Sequence, residues 1–209
     1  MDINTKKLKK NAFRIIKERG KTAARVRVPG GYLDAKYLTT LQSIAENYGN
    51  GKLHITIRQG FEIPGIPMKY MPEVNKALQP IIEGLEINQE NPKDGYSDSG
   101  TRNVSACIGN NVCPFANYNT VNFTKKIEKA IFPNDYHVKI ALTGCPNDCI
   151  KARMQDFGII GMTELQYDSY RCIGCGECIN KCPTSTWARS EEKYFKLVIM
   201  GRTGKKILD

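Results

Sequence analysis

The sequence predicts an α+β protein of 209 residues, in which strand-like and helix-like stretches alternate. Two observations divide the chain into dissimilar halves. The first half contains no cysteine and has the strand, helix, strand, helix order of a small α+β module. The second half contains all eight cysteines, between positions 107 and 182, together with further strands and helices. Cysteines clustered in this way, without a secretory leader, favour metal binding over a disulfide framework.

The first half begins with a basic amphipathic pattern and continues with alternating strands and helices. The predicted elements are a helix at 5–18, a strand at 23–28, a helix from Asp34 to about Tyr48, a strand at 53–58 and a helix at 72–84. Successive side chains of a strand point to opposite faces, so Arg25 and Arg27 share one face of the first strand. His54, Thr56 and Arg58 share one face of the second strand for the same reason.

The second half starts after a polar segment, 88–101, which is rich in turn-forming residues and is expected to be a linker or a loop over a site. The predicted elements that follow are a helix near 117–131, a strand at 136–142, a short helix from about 146, a strand at 157–162 and a strand at about 194–200. The densest group of cysteines lies between the last two strands.

Charge and hydropathy narrow the class of function. The chain is 41% hydrophobic and has a formal net charge of +10. Its apolar runs are shorter than the roughly 20 residues of a membrane span, and its N-terminus lacks the apolar part of a signal peptide, so we expect a cytoplasmic protein. The Lys and Arg residues are spread along the chain and match no nucleic-acid-binding motif. An anionic cofactor or a small anionic substrate explains the positive charge better than a nucleic acid does.

The run CIGCGECINKCP at 172–183 has the spacing C-x2-C-x2-C-x3-C-P, which is typical of a ferredoxin-type [4Fe–4S] cluster. Its predicted ligands are Cys172, Cys175, Cys178 and Cys182, and a zinc site is the alternative. In ferredoxins with two clusters the fourth cysteine ligates the other cluster. A second such run is absent from this sequence, so the run leaves open whether Cys182 completes its own cluster.

Four further cysteines form two pairs. Cys107 and Cys113 lie in CIGNNVC, and Cys145 and Cys149 lie in GCPNDC. Four thiolates are the ligand set of one more [4Fe–4S] cluster, and structural zinc is again the alternative. We predict that the two pairs meet in the fold to form one four-thiolate site.

The two cysteine pairs resemble those of the sulfite and nitrite reductases that carry sirohaem and a [4Fe–4S] cluster. GCPNDC is similar to the second pair of that family. RVRVPGG at 25–31, ITIRQ at 55–59 and TRNV at 101–104 resemble the family in the same order. The cysteine run inserted after GIIGM, and the ending WARS…LVIMGRTGKK, are most similar to the C subunit of anaerobic sulfite reductase.

The resemblance implies three parts. Residues 1–90 are expected to form a ferredoxin-like, sirohaem-binding half-module. Residues 91–167 and 191–209 are expected to form an α/β domain that binds sirohaem and the [4Fe–4S] cluster. Residues 168–190 are expected to be an inserted ferredoxin-type cluster segment.

The resemblance also implies which residues hold the cofactor. Cys149 matches the cysteine whose sulfur ligates both the cluster and the sirohaem iron. Thr56 and Arg58 match residues that hold sirohaem carboxylates, and His54 stands where a relative has arginine. Without the resemblance, these last three residues would be interpreted as a solvated strand face.

The substrate-binding residues implied by the resemblance are cationic. Arg25 and Arg102 match residues that grip the substrate oxygens, which suits the charged, multiply donating guanidinium group. Lys139 matches the second of two family lysines, and His137 departs from the first. His137 is expected either to relay protons or to be a structural histidine. Arg27 is expected to be a second anion contact or a surface charge.

The function implied is the six-electron reduction of sulfite to sulfide by a sirohaem-dependent catalytic subunit. The sequence has no flavin or nicotinamide motif, so electrons are expected from partner subunits that carry flavin and iron–sulfur centres. We expect a homodimer or a hetero-oligomer. Nitrite reduction to ammonia by the same machinery, or a non-catalytic electron-transfer protein, are the alternatives. Close relatives of the C subunit have two ferredoxin runs and extend further, which leaves open whether this copy is fully active.

Overall fold

The chain divides into two compact units, Met1–Gly161 and Met162–Asp209, each with its own sheet structure. The computed structural model describes residue 8 and residues 10–89, 95, 100–162, 169–181, 187–189, 195–199 and 206–207. The helices in this part of the chain are each too short or too polar to traverse a lipid bilayer. The mixture of helices and sheets confirms the predicted α+β class.

The first sheet of the larger unit is antiparallel and has four strands. The strands are β1 (Phe13–Ile15), β2 (Lys21–Val26), β3 (His54–Ile55) and β4 (Phe61–Pro67), in the order β1-β2-β4-β3. Two amphipathic helices, α1 (Tyr37–Asn47) and α2 (Met71–Gly84), contribute to the same core. Leu41 and Ile44 of α1 and Leu78 of α2 are buried there with Ile63 and Ile66 of β4. Burying these apolar side chains is what fixes the sheet under the helices.

The second sheet is parallel, with the order β5-β6-β7. Its strands are β5 (Ser105–Ala106), β6 (Ile140–Thr143) and β7 (Phe157–Ile160). Helix α3 (Thr120–Ile131) connects β5 to β6, as a parallel pair requires. The side chain of Asn119 caps α3 by accepting a hydrogen bond from the Asn122 N–H at 2.9 Å. A small core of Val104, Ala106, Ile140 and Leu142 lies between this sheet and α3.

The outer edge of β5 is covered by one side chain. The Gln59 amide donates to the Ala106 carbonyl and accepts from the Ala106 N–H, with both contacts at 2.8 Å. Gly31 makes room for this amide, because a Cβ at Gly31 would lie 2.8 Å from Gln59 Cδ. Gly31 also has φ 66°, a conformation that favours glycine. Gln59 therefore pairs with β5 as a neighbouring strand would.

The smaller unit contains a short helix and an antiparallel sheet. Helix α4 spans Glu177–Lys181, and the strands are β8 (Trp187–Arg189), β9 (Phe195–Ile199) and β10 (Lys206–Ile207), in the order β10-β9-β8. The strand predicted at about 194–200 is confirmed as β9. Cys182, predicted as the fourth ligand of the ferredoxin run, lies outside the described residues.

Several predicted elements are confirmed with shifted ends, and two are wrong. The helices expected from Asp34, at 72–84 and near 117–131 correspond to α1, α2 and α3. The helix expected at 5–18 is wrong in its second half, where β1 pairs with β2. The short helix expected from about 146 is also wrong. Turns occupy that stretch, followed by a 3₁₀ turn at Ala152–Met154.

Strand β4 was not predicted, because it contains Pro64, Gly65 and Pro67, which are rare in strands. The predicted strand at 53–58 is correct only for His54–Ile55. A turn follows it, and the Thr56 hydroxyl accepts a hydrogen bond from the Gly60 N–H at 3.0 Å. Thr56 and Arg58 are therefore placed by a tight turn between β3 and β4.

Candidate functional site

The parallel sheet separates two groups of predicted site residues. Because β5 and β6 run in the same direction, their amino ends meet at one edge of the sheet and their carboxyl ends meet at the other. Arg102 and Lys139 precede β5 and β6, whereas Cys107 and Cys145 follow them. Basic side chains therefore collect at the amino edge and thiols collect at the carboxyl edge.

At the carboxyl edge, backbone contacts bring the two cysteine pairs together. The Cys107 N–H donates to the Leu142 carbonyl at 3.0 Å, and the Gly144 N–H donates to the Cys107 sulfur at 3.1 Å. Gly144 permits this approach, because a Cβ there would lie 2.5 Å from the Cβ of Ala116. The first residue of GCPNDC thus lets the loop that carries Cys113 pack against the loop that carries Cys145.

The two remaining thiols belong to turns at the same edge. The Cys113 N–H donates to the Gly109 carbonyl at 2.9 Å. Asp148 has φ 47°, and its carboxylate accepts from the Ala152 N–H at 2.6 Å. Cys145 is buried, and Cys149 is exposed. The Asp148 turn is what directs the chain from the buried thiol to the exposed one.

The surroundings of Cys107 include a phenol. Burial, followed by the charge of Cys107, raises the pKa of Tyr118 to about 12. The Tyr118 hydroxyl donates to the Ile159 carbonyl at 3.4 Å. This phenol therefore stays protonated as a donor well above neutral pH.

No three His, Cys, Asp or Glu side chains of the described residues converge closely enough to hold a single metal ion. The ligands of a [4Fe–4S] cluster do not have to converge on one point, because each thiolate binds a separate iron at one corner of the cluster. In the smaller unit, Cys172 is half-buried and Cys175 and Cys178 are exposed.

At the amino edge, an open cavity of about 440 Å³ contains most of the predicted substrate and cofactor residues. Its lining comprises Arg14, Arg25, Val26, Arg27, His54, Thr56, Ile57, Arg58, Gly60, Phe61, Glu62, Arg102, Asn103 and Lys139. Six predicted site residues are thus brought together from both halves of the chain. None of the described lining residues is a cysteine, and His137 is not among them.

Glu62 connects three of the basic side chains in this cavity. It accepts from Arg25 Nε at 2.7 Å and from Arg14 at 3.0 Å, and it lies 3.3 Å from His54 Nδ1. Strand pairing explains this, because Glu62 is opposite Arg25 on β2 and opposite His54 on β3. Burial alone would raise the pKa of Glu62, but the hydrogen bonds from Arg25, Arg14 and His54 outweigh it and lower that pKa to about 2.

Arg58 is held at the cavity wall by three acceptors. Its guanidinium donates to the Asn103 carbonyl at 3.1 Å, to Gln155 Oε1 at 2.8 Å and to the Ile140 carbonyl at 2.9 Å. Burial, followed by the charge of Arg27, lowers the pKa of Arg58 from its usual value. The side chain therefore ties the turn after β3 to the amino ends of β5 and β6.

Arg27 is buried, so the expectation of a surface charge was wrong. Its guanidinium pairs with the buried carboxylate of Glu128 on α3 and lies 3.9 Å from the centre of the Phe132 ring. Strand β2 ends at Val26, one residue before Arg27, and Arg25 and Arg27 both line the cavity.

Arg102 and Lys139 lie beside further polar groups. Arg102 Nε donates to His137 Nε2 at 3.1 Å, so His137 acts as an acceptor at that nitrogen. The backbone N–H of Lys139 donates to the carboxylate of Asp156 at 2.8 Å. The structure thus places His137 next to a substrate-binding candidate and Lys139 next to an acidic loop residue.

Family models match both parts of the chain. The model described as the nitrite/sulfite reductase ferredoxin-like half domain matches residues 15–81, and the nitrite and sulphite reductase 4Fe-4S domain matches residues 97–208. The chain belongs to the nitrite and sulfite reductase family. This is an oxidoreductase family, and membership confirms the resemblance carried by the sequence motifs.

Individual members of the nitrite and sulfite reductase family agree with this assignment. The chain is 37% identical to the C subunit of the anaerobic sulfite reductase of Salmonella typhimurium, over 94% of this chain and 69% of that protein. It is 31% identical to the coenzyme F420-dependent sulfite reductase of Methanocaldococcus jannaschii, over 74% of this chain and 24% of that protein. A crystal structure of dissimilatory sulfite reductase I shares the fold, with a TM-score of 0.59 and 18% identity over 85% of this chain and 46% of the other.

Sequence reasoning missed two charged residues of the cavity in this family member, Arg14 and Glu62. Arg14 lies on β1, where a helix was predicted, and Glu62 lies on β4, which was not predicted. The signal for Glu62 was its place three residues after ITIRQ, but only the pairing of β4 with β2 and β3 shows that it faces Arg25 and His54.

Proposed function

We propose that this chain is the catalytic subunit of a sirohaem-dependent reductase that converts sulfite to sulfide. The observation that carries the proposal is the cationic cavity at the amino edge, which gathers Arg25, His54, Thr56, Arg58, Arg102 and Lys139 in a member of the nitrite and sulfite reductase family. Small oxyanions and a cofactor rich in carboxylates both need such a surface, since buried negative charge is costly without cationic partners.

The charge of the cavity fits a polyanionic ligand. Its described lining residues include five arginines and one lysine, against the single carboxylate of Glu62. Sirohaem is a ring bordered by carboxylates, and we assign their binding to His54, Thr56 and Arg58. Three of the guanidinium donors of Arg58 already contact protein acceptors. The charge of Arg58 and its remaining donors are therefore assigned to the sirohaem carboxylates. When bound, sirohaem supplies the iron at which the S–O bonds of sulfite are broken.

The residues of the chain bind the substrate and move protons. Arg25 and Arg102 bind sulfite oxygens through charge-assisted hydrogen bonds. Lys139 stabilises negative charge on the departing oxygens and donates protons from its ammonium group. His137 holds Arg102 through the contact to Nε2, and we propose that it exchanges protons with solvent at the other ring nitrogen.

The thiols at the carboxyl edge are proposed to hold one [4Fe–4S] cluster. Cys107, Cys113, Cys145 and Cys149 are its ligands, and the Cys107 sulfur already accepts a hydrogen bond from the Gly144 N–H. The exposed position of Cys149 supports its proposed second role as the sirohaem ligand. A second cluster is proposed at Cys172, Cys175, Cys178 and Cys182.

The separation of the two edges supports a site shared between two chains. Strand β6 has four residues and lies between Lys139 and Cys145, so these residues are on the order of 13 Å or more apart. If Cys149 held the sirohaem iron, the anion-binding residues would have to lie near Cys149. We therefore propose a two-fold dimer, in which Arg25, Arg102 and Lys139 of one copy face the sirohaem held by Cys149 of the other.

Electron-donor subunits that carry flavin and iron–sulfur centres are the proposed source of reducing power. Support comes from the similarity to the Salmonella protein, because its name as a C subunit implies further subunits in that relative. Anaerobic copurification from the native organism, followed by a flavin assay, tests this proposal.

An anaerobic absorption spectrum, together with dye-driven turnover, tests the main proposal. We expect a sirohaem band beside the cluster absorbance, and faster reduction of sulfite than of nitrite under matched conditions. Faster reduction of nitrite would establish the alternative substrate. Cluster absorbance without sirohaem, and no turnover of either anion, would make the chain an electron-transfer protein and overturn the proposal.

Mixing two inactive variants tests the shared site. One variant carries Cys149→Ser and the other carries Lys139→Met, so each homodimer lacks one half of both sites. In a mixed dimer, one of the two sites retains both residues, and we expect sulfite reduction to return. Native mass spectrometry verifies that subunits have exchanged. Confirmed exchange without returning activity would show that each chain holds a complete site.

A further inference from the structure

We propose that Arg27, paired with Glu128, is a positioning residue that sets the orientation of Arg102. This inference rests on the proposed role of Arg102 in binding the substrate anion, but it concerns how the fold fixes that side chain. Arg27 is then neither a second anion contact nor a surface charge. It acts through the backbone carbonyls of Thr101 and Arg102.

The contacts of Arg27 converge on the segment that carries Arg102. The Arg27 guanidinium donates to the Thr101 carbonyl at 2.9 Å and to the Arg102 carbonyl at 2.9 Å. It also contacts Glu128, through Nε and at 3.4 Å through Nη2, and the face of the Phe132 ring. Arg27 is 5% exposed and Glu128 is 3% exposed, so water competes little for these bonds.

The next carbonyl of the segment is held by a second arginine. Arg58 Nε donates to the Asn103 carbonyl at 3.1 Å, and the Asn103 side-chain amide donates to the carbonyls of Val28 and Arg58 at 2.8 and 2.7 Å. The Arg102 N–H itself donates to the Val138 carbonyl at 2.9 Å. Three successive carbonyls, from Thr101 to Asn103, therefore each accept from an arginine of the first half of the chain.

This arrangement fixes the Cα position of Arg102 before any anion arrives. An anion-binding side chain is most effective when little reorganisation is needed at the moment of binding. The forked, planar guanidinium of Arg27 donates to two neighbouring carbonyls and to a carboxylate at the same time. A lysine ammonium is a point charge without that fixed fork, so it does not reproduce this geometry.

The test removes the ion pair as a unit. Replacing Arg27 alone leaves Glu128 as an unpaired buried charge, which destabilises proteins for general reasons. Replacing both partners, as Arg27→Met with Glu128→Leu (R27M/E128L), avoids this cost and releases the carbonyls of Thr101 and Arg102. The control is Lys129→Met with Glu86→Gln, which removes an exposed ion pair between helix α3 and the turn after α2.

The first measurement follows sulfite reduction by the holoenzyme in a double-mutant cycle with Arg102→Ala. We expect R27M/E128L to lower kcat/KM about tenfold, because small displacements of a binding group have large effects. In the Arg102→Ala background, the same double replacement should change kcat/KM by less than about twofold, because the side chain that it positions is already gone. The control pair should leave kcat/KM unchanged in both backgrounds.

The second measurement does not depend on the cofactors. Hydrogen exchange of the full chain, followed by mass spectrometry, reports on the backbone amide of Arg102. We expect R27M/E128L to accelerate exchange in the peptide around residues 101–104, with unchanged exchange in α1 and α2. Thermal unfolding of both paired variants shows whether the fold is retained.

The outcomes separate this inference from the proposed function. An Arg102→Ala variant with wild-type turnover would refute the substrate role of Arg102. If Arg102→Ala is impaired but R27M/E128L is equally harmful with and without Arg102, Arg27 has only a general structural role. Wild-type kinetics and wild-type exchange in R27M/E128L would also overturn the positioning role.

Discussion

The two edges of the parallel sheet are built in different ways. At the carboxyl edge, thiols lie in short loops held by local hydrogen bonds, such as those from the Cys113 N–H to the Gly109 carbonyl and from the Ala152 N–H to the Asp148 carboxylate. At the amino edge, basic side chains are placed by partners distant in sequence. Arg27 and Glu128, for example, are separated by 101 positions. A cysteine motif can therefore be recognised from local spacing. The cationic cavity at the amino edge forms only when both halves of the chain pack together.

The two edges also differ in the electrostatic repulsion among their own side chains. Basic side chains repel one another, and Glu62 offsets this repulsion by binding Arg14, Arg25 and His54. Thiols are neutral when protonated and need no such counter-charge. The amino edge is consequently the part that depends on pH through its own ion pairs, and the carboxyl edge is the part that we propose to depend on metal.

The largest effect is expected at the carboxyl edge, for Cys149→Ser. Because we assign this sulfur to both the cluster and sirohaem, its loss should abolish turnover and remove sirohaem as well as cluster iron. Iron, acid-labile sulfide and extracted sirohaem are measured anaerobically. Cys175→Ser serves as the control and should remove only the ferredoxin-type cluster. Full sirohaem with unchanged iron coordination in Cys149→Ser would contradict the bridging role and weaken the contrast between the edges.

A smaller effect is expected at the amino edge, for Arg102→Ala. One preorganised cationic donor is worth about a hundredfold in rate, so turnover of sulfite should fall by roughly that factor. Sirohaem content should stay at the wild-type level, because Arg102 is assigned to the substrate and not to the cofactor. Dye-driven reduction and a pyridine extract measure the two quantities. Loss of sirohaem together with activity would mean that Arg102 holds the cofactor instead.

The smallest effect concerns Glu62 and pH. Its folded-state pKa is lowered from 4.5 to about 2, so its ion pairs stabilise the fold fully above about pH 4.5. This contribution is lost as the pH falls from 4.5 toward 2. In urea unfolding between about pH 6 and about pH 3, the stability difference between wild type and Glu62→Gln should shrink once the pH is below 4.5. A difference that is constant with pH would show that the carboxylate charge contributes nothing to the fold.

The sequence was sufficient to predict α1, α2 and α3, and its motifs named six of the residues that line the cavity at the amino edge. The amphipathic patterns of α1, α2 and α3 depend on local spacing, and the cysteine spacing depends on ligand geometry. Strand β4 was missed because its prolines are tolerated only through this particular sheet pairing. Without β4, the sequence did not predict that Glu62 pairs across the strands with Arg25 and His54. It also did not predict the strand order of the first sheet, in which β4 lies between β2 and β3.

The role of Arg27 was equally beyond local reasoning. Alternation along a strand placed it with Arg25, and both residues do line the cavity, but alternation did not show that Arg27 is buried. Its burial depends on Glu128 and Phe132, which belong to the second half of the chain. Whether an arginine is exposed or buried is decided by such distant partners, which periodicity does not encode.

The side chain of Gln59 has a consequence for strand addition at the edge of the parallel sheet. Strand β5 is one of the two outer strands of the parallel sheet, and an open strand edge recruits strands from other molecules. The Gln59 amide occupies the donor and the acceptor of Ala106, which closes that edge with a single side chain. At Ala106, neither backbone group is left open to a strand from another molecule. The glutamine that ends the ITIRQ motif therefore blocks strand addition at Ala106.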